Sequence, residues 1–210
     1  MAPLLTLYHC PYSRSTGVMT LLEELHAPYD LHVMNMKKGE NRAAAYLAVN
    51  PMGKVPAIRH GDAIITEQVA IYLYLADLFP AAKLAPPLGD PLRGPYLRWM
   101  AFYGSCFEPA IVDKWMKNTP ADKTSCHYGD FDTMFNTLIE QLSTGPYLLG
   151  EQFSALDVLW ASSMGWMGAY ELLPKLQVIE QYVARVTSRP AFAAANTKDG
   201  ELAAAQAAAA

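Results

Sequence analysis

Residues 4–8 open the chain with an apolar, β-compatible run (Leu4, Leu5, Thr6, Leu7, Tyr8), which predicts a short buried strand. The polar stretch after it, interrupted by Pro11, predicts a loop over residues 9–15. Val18, Met19, Leu21, Leu22 and Leu25 then recur at helical spacing with Glu23 and Glu24 turned outward. Pro28 stops that helix. Tyr29, Leu31 and Val33 alternate as a second strand would. A strand, a helix and a strand in this order predict a parallel pair, which needs such a crossover.

The pattern is less regular over residues 36–56. Residues 37–42 read as a solvated loop and 43–49 as a short helix. Residues 57–60 and 63–65 are apolar runs separated by Gly61-Asp62, a two-residue hairpin signal. From Thr66 the positions Val69, Ile71, Tyr72, Leu75, Ala76, Leu78 and Phe79 are helical, ending before Pro80. The first 80 residues therefore predict a mixed four-stranded sheet covered by helices. Pro80, Pro86, Pro87, Gly89 and Pro91 crowd residues 81–91, the best linker in the chain.

No strand pattern follows. Helices are expected over 92–117, bent at Pro109, over 124 or 125 to 142, over 154–169 and over 175–187, with a short piece after Pro190. The alanine-rich tail over 203–209 reads as frayed or disordered. The division is an α/β domain over 1–80, a linker over 81–91 and an all-α domain over 92–210.

Composition narrows the function classes. With 52% hydrophobic and 17% charged residues the chain can bury a core. A net charge of −4 argues against nucleic acid or an acidic membrane surface as partner. No apolar run is long enough to cross a membrane, and the first residues lack the basic flank of a signal peptide. Three widely spaced cysteines (Cys10, Cys106, Cys126) form neither a disulfide framework nor a metal-ligand pattern, which points to the reducing cytoplasm. The histidines show no metal-like pairing either, so no metal is expected.

Three stretches carry candidate chemistry. In Asn50-Pro51-Met52-Gly53-Lys54-Val55-Pro56-Ala57-Ile58 a tight turn feeds a strand that opens on proline. A proline there means a bulge, a sheet edge or a cis peptide. A cis bond would leave the Val55 N–H and C=O free to pair with an extended ligand. Glu67-Gln68 opens a helix, where free N–H groups hold a carboxylate while Glu67 could pair with an ammonium group. An ordinary cap by Thr66 is the plainer alternative. Cys10-Pro11-Tyr12-Ser13 lies between the first strand and first helix. There Cys10 could be a nucleophile, or Ser13 could donate to a ligand thiolate; a small buried cysteine and a helix cap are the structural alternatives. Ser154-Ala155-Leu156-Asp157, preceded by Phe153, has capping-box spacing and is read as structural.

Taken together, these stretches resemble the glutathione S-transferase superfamily over nearly the full length. The resemblance rests on Asn50-Pro51-Met52-Gly53-Lys54-Val55-Pro56, on Ile64 to Leu75 with its Thr66-Glu67-Gln68-Val69-Ala70-Ile71 core, on Phe153 to Asp157, and on their order around the linker. It implies a thioredoxin-like N-terminal domain, an all-α C-terminal domain and a homodimer. It implies glutathione as co-substrate, with Val55 before Pro56 pairing with the cysteinyl backbone, Glu67 and Gln68 holding the γ-glutamyl end, and Lys54 and Arg42 near the glycyl carboxylate. Gln68 departs from the usual serine. Counted from the strand end, Ser13 falls where serine-type members carry the activating hydroxyl, with Cys10 and then Ser15 as alternatives. A small hydrophobic electrophile is expected to meet Tyr12, Tyr103, Phe107 and Trp115. The competing functions are thiol-disulfide exchange at Cys10, a glutathione-dependent isomerase, and a glutathione-binding protein without turnover.

Overall fold

In the computed structural model, residues 5–120 and 122–209 are described. The chain divides into two compact units, residues 1–82 with 188–210, and residues 83–187. The first unit therefore takes in the last helix, which the sequence boundary at residue 92 had assigned to the all-α domain.

The first unit is built on four strands, β1 (Leu5–His9), β2 (Tyr29–Val33), β3 (Ala57–His60) and β4 (Ala63–Ile65), in the order β2-β1-β3-β4. β1 and β2 are parallel; β3 runs antiparallel to both β1 and β4. This is the expected mixed sheet. The predicted first strand runs one residue further than expected, to His9; Leu4 lies outside the described residues. The crossover helix α1 (Arg14–Glu24) packs on β1, and α2 (Ala44–Leu47) is a single turn. The loop over 37–42 is tighter than expected: two short 3₁₀ turns bury Asn41.

Helix α3 (Gln68–Leu78) starts one residue later than a Thr66 cap would place it. Glu67 is the N-cap residue, with φ 66° and no side-chain cap bond. The second unit holds α4 (Arg93–Phe102), α5 (Glu108–Met116), α6 (Phe131–Leu142), α7 (Ala155–Ala169) and α8 (Gln177–Thr187). The long helix expected over 92–117 is interrupted by a wide π-helical turn at Tyr103–Phe107, upstream of Pro109. The reason is local: a proline ring clashes with the carbonyl four residues back, here Ser105, so the distortion precedes the proline. The expected start at 124 or 125 is corrected to Phe131. Asp122 instead closes a turn on the Thr124 and Ser125 N–H groups, and Asp130 caps α6 through the Thr133 N–H at 2.9 Å.

In α7 nearly every residue through Ala161 is buried, and the expected capping box is present at its start. Asp157 accepts from the Ser154 N–H at 2.9 Å, the Leu148 N–H at 3.0 Å and the Tyr182 hydroxyl at 2.9 Å. The Trp99 and Trp160 rings pack edge to face at 5.9 Å beside Tyr103 and Phe107 as the core of this unit.

The tail expectation fails. α9 (Pro190–Ala208) is one continuous helix packed on α1. Alanine is the strongest intrinsic helix former. Polar ties then dock the helix: Arg189 grips Glu24 with two bonds of 2.6 and 2.8 Å, and Gln206 donates to the Met34 carbonyl.

Candidate functional site

The register of the sheet brings the predicted stretches to one end. Tyr8 pairs with Ala57, so the loop leaving β1 adjoins the segment entering β3. Ile58 pairs with Ile65, so the exit from β4 into α3 lies at that end too. Cys10 to Ser13, Val55-Pro56 and Glu67-Gln68 thus come from three loops at one end of the sheet.

The loop before β3 is held by side chains from residues 41–50. The Val55–Pro56 peptide is cis. Asn41 Nδ2 donates to the Gly53 carbonyl at 2.8 Å, and the Tyr46 hydroxyl and Asn50 Nδ2 both donate to the Lys54 carbonyl at 2.6 and 2.9 Å. Burial pushes the Tyr46 phenol up to about 12, so it stays a donor. Arg42 Nη1 donates to the Met52 carbonyl at 3.2 Å. These bonds hold the Met52, Gly53 and Lys54 carbonyls, and none reaches Val55. Among the described residues, neither the Val55 N–H nor its C=O has a partner within the chain. A half-buried backbone pair left open just before a strand can pair with an extended peptide.

Gly53 is essential to this loop. Its φ is 60°, and a Cβ there would sit 2.8 Å from the Asn41 carbonyl oxygen. Gly53→Ala is expected to destabilise the protein by about 2 kcal/mol, from the left-handed backbone and the clash together. Chemical denaturation measures it, and an unchanged midpoint would mean that the loop relaxes freely.

At the start of α3, Glu67 is exposed in an uncommon backbone conformation, φ 66° and ψ 118°. The Gln68 Oε1 atom is buried without a hydrogen-bond partner. A buried carbonyl oxygen without a donor is costly unless something supplies one. An ammonium or amide N–H of a ligand would do so, and glutamine can accept it where a serine hydroxyl would be shorter. Arg42 and Lys54 are both exposed.

In the loop after β1, Ser13 caps α1 and accepts the Ser15 N–H at 3.2 Å. Its Oγ donates to the Cys10 carbonyl at 2.7 Å and lies 2.7 Å from Ser15 Oγ. Ser13 is half-buried, whereas Ser15 is fully buried. The Cys10 thiol, also half-buried, points at the Pro11 carbonyl at 3.7 Å. Tyr12 has φ 56° and a ring that is 72% exposed.

Of the four aromatics expected to meet an electrophile, the three beyond Tyr12 part company. Tyr103 and Phe107 are 1% and 0% exposed, and Tyr103 hydrogen-bonds Ser163 at 2.7 Å. They sit in the core of the second unit, around Trp160, and offer no open surface. Trp115, at 67% exposure, is a surface residue. The burial follows from the π-helical turn, which turns both rings toward α7.

Two residues tied to this loop escaped the sequence reading. His9 is fully buried, with Nδ1 2.8 Å from Ser15 Oγ and Nε2 2.9 Å from Asp199 Oδ1. Asp199, on α9, also accepts the Tyr12 N–H and the Thr16 hydroxyl, each at 3.0 Å. The phase of β1 carried a signal for His9, because it follows Leu5 and Leu7 at alternate positions and so shares their buried face. Nothing local marks Asp199 as its partner.

The comparisons with known proteins agree on one family. Residues 3–77 match the family model "Glutathione S-transferase, N-terminal domain". Glutathione S-transferase APIC of Nicotiana tabacum is 33% identical over 196 residues, which is 87% of this chain and 92% of that protein. A glutathione transferase crystal structure from Methylococcus capsulatus superposes with a TM-score of 0.77 at 29% identity, covering 93% of this chain and 98% of that one. A sphingomonad glutathione S-transferase complexed with glutathione gives 0.72 at 28% identity, with coverage of 93% and 98%.

Proposed function

This chain belongs to the glutathione S-transferase family, and we propose on that footing that it joins the thiolate of glutathione to a small hydrophobic electrophile, with Ser13 as the thiolate's donor. The observation that carries the reading is the open backbone pair of Val55 beside Pro56. The cysteinyl unit of glutathione pairs with it as a short added strand. The γ-glutamyl end then reaches Glu67 and Gln68, whose unpartnered Oε1 accepts its N–H. Arg42 and Lys54 approach the glycyl carboxylate in open water, where they contribute more to orientation than to affinity.

Such binding lays the thiol toward the loop after β1. A hydroxyl aimed at a developing anion stabilises it without changing its own protonation. Cys10 is the alternative, and its chemistry would be thiol-disulfide exchange. Ser13 is favoured because it stands at the end of a hydrogen-bonded chain of polar groups, while the Cys10 thiol touches only a carbonyl. The exposed Tyr12 ring is the surface next to Ser13 that an apolar electrophile meets.

We further propose that the protein acts as a homodimer in the cytoplasm. The three free cysteines suit a reducing compartment. Among the described residues no helix is long and apolar enough to cross a membrane.

The test is a crystal structure with glutathione bound. The expected result has the sulfur within about 3.5 Å of Ser13 Oγ and both Val55 backbone groups paired with the cysteinyl unit. A sulfur against Cys10 Sγ instead, or a disulfide to it, would transfer the assignment to exchange chemistry.

A further inference from the structure

Behind Ser13 runs an unbroken line of polar atoms into the interior. Ser13 Oγ lies 2.7 Å from Ser15 Oγ, Ser15 Oγ lies 2.8 Å from His9 Nδ1, and His9 Nε2 lies 2.9 Å from Asp199 Oδ1. Only Ser13 reaches solvent; Ser15 and His9 are 0% exposed and Asp199 is 2% exposed. Resting on the assignment of Ser13 above, we propose that His9, oriented by Asp199, takes the proton of the glutathione thiol through Ser15 and Ser13, and in doing so turns the Ser13 hydrogen onto the thiolate.

Hydrogen counting at each oxygen supports both ends of this step. With His9 neutral, the ring nitrogen facing Asp199 carries the proton and Nδ1 is bare. Ser15 then donates to Nδ1. The one Ser13 hydrogen has two acceptors at 2.7 Å, the Cys10 carbonyl and Ser15 Oγ; in the step it turns from the carbonyl to Ser15, and Ser13 Oγ is left to accept the thiol S–H. Ser15 Oγ accepts the Cys10 N–H as well, and Ser13 Oγ the Ser15 N–H, so each oxygen uses two lone pairs. In the step the S–H bond breaks and an Nδ1–H bond forms, while each serine passes one proton on and receives another. Afterwards Nδ1–H donates to Ser15, Ser15 to Ser13, and Ser13 to the sulfur anion. The same lone pairs are filled, now in the opposite direction. No atom has moved beyond a hydroxyl rotation. After turnover the proton returns along the same hydroxyls to water.

Charge follows the same logic. The product of the step is a buried imidazolium, which is unfavourable without a counter-ion. Asp199 supplies it. Burial alone would push the Asp199 carboxyl up; the His9 contact, the Tyr12 N–H and the Thr16 hydroxyl outweigh burial and hold it below the ordinary carboxylate range. His9 Nε2 lies 2.9 Å from Asp199 Oδ1 but outside hydrogen-bond geometry, so the carboxylate acts on the ring chiefly through its charge, which meets the imidazolium once the step forms it. The groups around His9 are Tyr8 and Cys10 on its own strand and loop, Ser15 from α1 and Asp199 from α9. Asp199 is the one carboxylate in contact with it among the described residues. The arrangement follows the logic of a serine–histidine–carboxylate triad, with a second hydroxyl between the histidine and the reacting atom. A simple pin for α9 would need a donor facing Asp199 but no hydroxyl pair leading outward from the other ring nitrogen.

The test uses the full chain saturated with glutathione and follows the ultraviolet absorbance of the bound thiolate against pH. Ser15→Ala and His9→Gln are expected to raise the apparent pKa of the bound thiol by about one unit, a tenfold loss of thiolate at a given pH, with glutathione affinity within about twofold of wild type. Nitrogen NMR of the unsubstituted protein needs no variant: the His9 Nδ1 resonance is expected to move to its protonated position when glutathione binds. A His9 that stays neutral beside a bound thiolate overturns the proposal, as does an unshifted titration in a folded Ser15→Ala protein. Ser13→Ala separates this outcome from failure of the site assignment. If it abolishes the bound thiolate while Ser15→Ala does not, the relay is wrong and Ser13 stands. If Ser13→Ala leaves the titration unchanged, the Ser13 assignment falls, and the relay with it.

Discussion

Ser13→Ala is expected to lower kcat/KM for conjugation to an aryl halide by about 100-fold, while the Kd for glutathione changes by less than about threefold. Removing one donor aimed at a developing anion typically costs a factor of this size. The binding contacts assigned to Val55, Glu67 and Gln68 are untouched, so the loss falls on the chemical step. The substitution also deletes the α1 cap, worth about 1 kcal/mol of stability. Ser13→Thr, which keeps a hydroxyl and a cap, separates the two effects and is expected to recover most of the rate. Steady-state kinetics with calorimetry of glutathione binding measures both. If Cys10→Ala removes activity and Ser13→Ala does not, the protein is an exchange enzyme.

The largest expected effect on stability is that of Asp157→Ala, a destabilisation of about 3 kcal/mol near pH 7.5. The substitution leaves the buried Leu148 N–H, Ser154 N–H and Tyr182 hydroxyl without their acceptor. For a chain of this size that lowers Tm by about 10 °C. The deficit also depends on pH. Burial raises the Asp157 carboxyl from 3.8 to about 6, against the pull of its hydrogen bonds. A folded pKa above the unfolded one means that this group adds stability at low pH, fully present below about 3.8 and lost as pH rises through about 6. The gap between wild type and variant is therefore expected to widen by about 1 kcal/mol from pH 7 to pH 5. Urea denaturation at the two pH values checks it; a gap that stays the same would mean that Asp157 is ionised throughout this range.

What could be read from the sequence was local. Leu5 to Tyr8, Val18 to Leu25 and Tyr29 to Val33 declare their elements as short apolar stretches set apart by Pro11 and Pro28. Val55-Pro56 and Glu67-Gln68 were legible because proline and a helix start are chemically distinctive wherever they fall. The misses came from positions whose meaning lies elsewhere in the chain. The last helix looked like a frayed tail because its alanines are featureless until Arg189, Asp199 and Gln206 find Glu24, His9 and Met34. Tyr103 and Phe107 looked like pocket residues because aromatic character does not say which way a π-helical turn will face. The Glu67 backbone conformation has no sequence mark at all.

The docking of α9 on the first unit has a consequence for how the protein is made. Tyr12 and Asp199 are 187 positions apart. At about 5–20 residues per second a ribosome needs roughly 10–40 s to travel between them. For all that time the strand carrying His9 exists without its counter-ion, and α1 without the helix that covers it. The loop after β1 thus waits for a helix made 187 positions later. A nascent chain that has not yet reached Asp199 would hold the loops proposed to face glutathione and lack the carboxylate beneath them.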